Sequence, residues 1–183
     1  SSRALYAKGQ YSVPSDTACY PAKLMHGHIE NLLEKGVDTI FYPCMTYNFD
    51  EHKGDNHFNC PVVAYYPELL ASNVEKLKGV RYLYPYLNLS ARKTFPKKAW
   101  EALRADWPDL TLREVTKAAD AAYASYEKQR ADIREQGRLA LKYAREHGKK
   151  TIILCGRPYH VDPEINHGIN QLITSLGLVV VSE

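Results

Sequence analysis

Nowhere in the 183 residues is there a run of about 18 uncharged apolar side chains, the length a bilayer-spanning helix requires. The first residues lack the basic, apolar, small-residue order of a secretory signal, so neither membrane insertion nor secretion is supported and a cytoplasmic location is expected. No basic stripe studded with aromatics exists either. The 24 Lys and Arg are scattered among 21 Asp and Glu for a net charge of +3, which argues against a nucleic-acid surface. GxGxxG, Walker A and nucleophile-elbow patterns are all missing, leaving nucleotide binding and serine-hydrolase chemistry without a motif. Cysteine is scarce, and Cys19, Cys44, Cys60 and Cys155 stand at wide, irregular intervals unlike those of a small disulfide-stapled scaffold.

What is there is core-forming material. Hydrophobic residues make up 45% and charged residues 25% of the chain, enough for one domain or two small ones, and disorder is excluded. Short β-rich runs alternate with helical patterns, which predicts an α/β protein with Rossmann-like open parallel sheets. A helix is expected over about 20–34, ended by Gly36, then strands at 39–42, 62–66 and 80–84 with a helix over about 67–78 between the last two. Pro96 opens another helix, which ends before Trp107-Pro108. From Thr111 to His147 there is no proline and only Gly137, so a single helix of about 55 Å is expected at about 1.5 Å per residue. Gly148 stops it, and strand 151–154, helix 163–175 and strand 178–181 begin a new unit. The domains expected are therefore 1–95, an α/β cysteine-bearing part, 96–148, a helical connector, and 149–183, the start of a second α/β half. A first residue other than Met and a last one directly after a strand suggest a piece of a larger protein.

In open parallel sheets, working residues sit in loops beyond the carboxyl ends of strands. Cys19 precedes a helix, where the dipole and unpaired N–H groups favour thiolate. Cys44 lies two residues beyond a strand and Cys60 at the mouth of the next. Pro21, Pro43 and Pro61 stiffen these three positions. The intervals of 25 and 16 residues are too wide for a zinc finger, whereas three thiolates from separate loops suit an iron-sulfur cluster. The bland reading is that each cysteine is ordinary core. His26 and His28 sit two apart on a helix and face different ways, and His52 and His57 occupy a polar loop. A second constellation is Cys155-Gly156-Arg157-Pro158-Tyr159-His160. Arg157 and His160 would place two donors at a strand's carboxyl end, where a phosphate or carboxylate suits them. Asp162 with Pro163 behind it is good helix-start chemistry.

The runs Ala18-Cys19-Tyr20-Pro21-Ala22-Lys23-Leu24-Met25-His26-Gly27-His28, Ile40-Phe41-Tyr42-Pro43-Cys44, Asn59-Cys60-Pro61 and Gly156-Arg157-Pro158-Tyr159-His160 through His167-Gly168 resemble the 2-hydroxyacyl-CoA dehydratase activase-related family. These are large proteins of anaerobic bacteria that include the CoA-substrate-specific enzyme activases, and the resembling region is similar to dehydratase subunits and double-cubane cluster proteins. The resemblance implies Cys19, Cys44 and Cys60 as ligands of an iron-sulfur cluster, 4Fe-4S or double-cubane, and leaves Cys155 out. It also implies ATP bound only on an ATPase activator domain outside these residues, in the same polypeptide or a separate one, with dehydratase subunits and an acyl-CoA as further partners. Related dehydratase subunits pair, so the resemblance allows a homodimer. The expected function is an electron-transfer and reductase module that accepts low-potential electrons for reduction of an acyl-CoA or other small substrate. The alternative is a non-catalytic docking domain of the activase with no cluster.

Overall fold

The computed structural model describes residues 1–52 and 54–182. The order of elements is α1 (Arg3–Gly9), α2 (Tyr20–Glu34), β1 (Thr39–Phe41), α3 (Pro61–Asn73), β2 (Arg81–Leu83), α4 (Phe95–Leu103), α5 (Leu112–Glu146), β3 (Thr151–Leu154), α6 (Pro163–Asn166), α7 (Ile169–Ser175) and β4 (Val179–Ser182). Short 3-10 turns at Gln10–Ser12, Glu75–Gly79 and Pro158–Val161 complete it. It is an α/β fold with two open, two-stranded parallel sheets, β1-β2 and β3-β4, connected in sequence by the long helix α5. Among the described residues no helix is long and apolar enough to cross a membrane.

The chain divides into two compact units, one made of Leu5–Ala122 and the other of Ser1–Ala4 with Tyr123–Glu183. In the first, β1 and β2 pair with Ile40 opposite Tyr82. The ladder runs on past the named strands, because the Cys44 N–H donates to the Pro85 carbonyl at 2.9 Å and the Leu87 N–H to the Cys44 carbonyl at 3.0 Å. One face of α2 carries Ala22 and Ile29 against Ile40 of β1, Tyr66 and Leu70 of α3, and Val74 and Leu77 beyond it. Burial of a full aliphatic side chain is worth about 1.5–3 kcal/mol, so this layer holds the unit together. A smaller core joins Leu87, Ala99 and Val115, and the Trp100 Nε1–H donates to the Leu110 carbonyl at 2.8 Å.

Two helices that periodicity did not locate correctly have physical explanations. Residues 62–66 are not a strand: Cys60 is the N-cap and Pro61 the first residue of α3, a position where proline loses no helical hydrogen bond. Pro67, expected to open a helix, lies inside α3. The single helix expected over 163–175 is two, since His167 (φ 54°) and Gly168 (φ 78°) both adopt the left-handed conformation and break it. The 35 residues of α5, by contrast, run unbroken through Gly137.

In the second unit β3 pairs with β4 in register from Thr151–Val179 to Leu154–Ser182. This sheet is barely covered. Successive strand residues point to opposite faces, and Ile152 and Ile153 are both exposed, at 37% and 62%. Parallel sheets are normally covered on both faces, and here neither face is closed at β3.

Candidate functional site

The three cysteines proposed as ligands occupy different environments. Cys19 and Cys60 are the N-cap residues of α2 and α3, with nearly the same extended backbone, φ −62° and ψ 151° against φ −61° and ψ 153°. Neither caps its helix with a side-chain hydrogen bond, and both are exposed. Cys44 is fully buried at the extended end of β1, bridged to Tyr86 in parallel fashion. Burial pushes its thiol pKa up, against the opposing effect of hydrogen bonds from the Glu68 backbone and the Tyr86 side chain. Tyr86 in turn donates to Glu68 Oε2 at 2.7 Å.

The iron-sulfur expectation is corrected here. Among the described residues there is no group of three or more His, Cys, Asp or Glu side chains placed to hold a metal ion. A cluster needs thiolates converging from one shell. Cys44 instead lies fully buried in the continued sheet ladder, and Cys19 and Cys60 are the exposed N-caps of two separate helices. The residues present do not fit a 4Fe-4S or double-cubane cluster, nor metal binding of another kind, and no electron-transfer step is derived through one.

A polar network absent from the sequence reading lies beneath α2. His26 is fully buried. The Ser12 hydroxyl donates to the Gly9 carbonyl at 3.0 Å and lies 2.8 Å from His26 Nδ1. Ser12 has one hydroxyl proton and gives it to Gly9, so Nδ1–H of the imidazole donates to Ser12 Oγ. His26 Nε2 is then the acceptor for the Tyr66 hydroxyl, 2.9 Å away. Burial drives the His26 pKa down to about 4 and, with smaller contributions from Cys19, Tyr42 and Tyr65, the Tyr66 pKa up to about 12. Both groups are therefore neutral at pH 7, and the network joins the 3-10 turn, α2 and α3 without a buried charge. One helical turn on, buried Glu30 accepts from Tyr11 and pairs with Lys76 Nζ at 2.7 Å. No spacing rule could have signalled either network, because their members come from up to 46 positions apart.

The Arg157 and His160 constellation falls where it was expected, after the carboxyl end of β3. Arg157 precedes the 3-10 turn Pro158–Val161 and its backbone N–H donates to His160 Nδ1 at 2.8 Å. His160 packs edge-on against Tyr159 with ring centroids 5.1 Å apart. Asn166 Nδ2 donates to the His160 carbonyl at 2.8 Å, and Asp162 Oδ1 accepts from the Glu164 and Ile165 N–H groups at 2.9 and 3.3 Å. Asp162 is thus the N-cap that Asp162-Pro163 predicted. Cys155 is an exposed thiol at the start of this loop.

These observations define a two-sheet α/β protein in which, among the described residues, the three cysteines form no metal-holding group and the second sheet is left open. The sequence matches the model of the CoA enzyme activase uncharacterised domain (DUF2229) over residues 1–183, and the chain belongs to that family. No curated protein and no solved structure matches the chain.

Proposed function

We propose that this chain is a docking domain of a CoA enzyme activase, a module that recognises another polypeptide and carries no cluster of its own. The observation that carries this reading is the open β3-β4 unit. Ile153 of β3 at 62%, Leu172 of α7 at 62% and Leu176, the C-cap of α7, at 68% leave apolar surface exposed in a unit built on a sheet type that is otherwise buried on both faces. Among the described residues of this unit, Ala144 and Asn166 are the buried ones. Family membership supports an activase- or dehydratase-type polypeptide as the occupant. The ATPase activator domain is the partner we assign, in the same polypeptide or a separate one, seated on the β3-β4 unit through an apolar surface.

Isothermal titration of the full chain with purified ATPase activator domain tests this. Complex formation that is weakened at least about 10-fold by Leu176→Asp, with unchanged circular dichroism, is the expected result, since losing one well-packed apolar anchor costs more than about 1 kcal/mol. No binding by the parent chain, or equal binding by the variant, contradicts the assignment. Binding to dehydratase subunits alone would replace the partner.

A further inference from the structure

We infer that the loop Gly156–His160 is an oxyanion site of the phosphate class, with Arg157 and His160 as its two donors. This inference is independent of the docking reading, because it uses residues at one strand end and none of the apolar surface.

Four observations converge. The loop leaves the carboxyl end of a parallel strand, the edge at which open α/β sheets place their ligands. Arg157 is the extended N-cap of the 3-10 turn Pro158–Val161 and His160 its third residue, so one short turn carries both side chains. The imidazole is fixed in one orientation: the Arg157 N–H donates to Nδ1, so the ring's own proton is on Nε2, and that N–H has no acceptor among the described residues. The Arg157 side chain is exposed and has no ion-pair partner among the described residues.

Gly156 shows how the ring is held. A Cβ at that position would overlap Nδ1, Cε1 and Cγ of His160, so the imidazole lies in the space a side chain at 156 would fill. Any other residue at 156 would push the ring off the Arg157 backbone N–H that orients it. The neighbouring carboxylate does not cancel the site. Asp162 is engaged by the Glu164 and Ile165 N–H groups through Oδ1, as the N-cap of α6.

The donor set selects the ligand class. A carboxylate is already satisfied by the two parallel N–H groups of one guanidinium. A separate N–H from a second side chain suits a tetrahedral group that has oxygens left over, as phosphate and its esters do.

Inorganic pyrophosphate is the probe. Isothermal titration into the full chain is expected to show binding that Arg157→Ala weakens at least about 10-fold, that Gly156→Ala also weakens, and that Arg113→Ala, on another helix, leaves unchanged. Circular dichroism of each variant confirms folding. Equal weakening by Arg113→Ala would mean diffuse charge attraction and overturn the site, as would unchanged affinity in Arg157→Ala. Acetate bound as tightly as pyrophosphate would overturn the phosphate class.

Discussion

Gly27→Ala is expected to lower the stability of the Leu5–Ala122 unit by about 3 kcal/mol, the upper end for an overpacked site, or to prevent its folding. A Cβ on Gly27 would overlap the Leu5 carbonyl, and one on Gly9 would overlap the Gly27 nitrogen and the His26 backbone. The clashing atoms are backbone, so no side-chain rotation relieves them. Gly9 and Gly27 therefore let the end of α1 rest directly on α2, and the adjoining turn then delivers Ser12 to His26. Gly137 supplies the control. It lies inside α5 with nothing within 4 Å of a built Cβ, so Gly137→Ala is expected to stabilise by about 1 kcal/mol through helix propensity alone. Urea denaturation followed at 222 nm reads both. Equal midpoints for Gly27→Ala and the parent would show that α1 does not pack on α2 as described.

Lowering the pH from 7 to 4 is expected to remove about 3 kcal/mol of stability through His26 alone, about 2 of it by pH 5. The imidazole is buried neutral, with a pKa near 4, while in the unfolded chain it returns to its ordinary value of 6.5. Between those values the unfolded state binds more protons, so stability rises with pH across the window and is lost as pH falls through it. Protonation would also reverse the Tyr66 bond, with Nε2–H donating to the phenol oxygen and the Tyr66 hydroxyl proton losing the acceptor it has among the described residues. Urea midpoints at pH 7, 6 and 5 for the parent and for His26→Gln separate this from carboxylate effects. The variant should be less stable at pH 7 and show a flatter pH dependence above pH 5. The same slope in both proteins would remove His26 as the cause.

The parts of the fold legible in the sequence are those set by local chemistry. The helix 20–34, the strand 151–154 and the long α5 follow from apolar period, caps and the absence of proline, and they stand within a residue or two of their expected bounds. Residues 61–66 misled because Val62, Val63, Tyr65 and Tyr66 favour strands, and only the Cys60-Pro61 start fixes the helix. α1 is seven residues long and gave no periodic signal. The candidate site divides the same way. Arg157 and His160 sit three positions apart, so their shared turn was readable. Whether Cys19, Cys44 and Cys60 meet depends on how two helices and a strand pair, which residue spacing does not encode. Cys44 illustrates the point: two residues past a strand it looked like a loop ligand, yet the strand pairing continues through it to Leu87 and buries it.

The central claim is that these three thiols do not hold a cluster, and iron analysis tests it most directly. The full chain is purified and reconstituted without oxygen, alongside Cys44→Ser, and iron and acid-labile sulfide are measured per chain. The account predicts substoichiometric iron in the parent and no further loss in the variant. About four irons per chain with matching sulfide, the content of one 4Fe-4S cluster, falling away in Cys44→Ser, would contradict it.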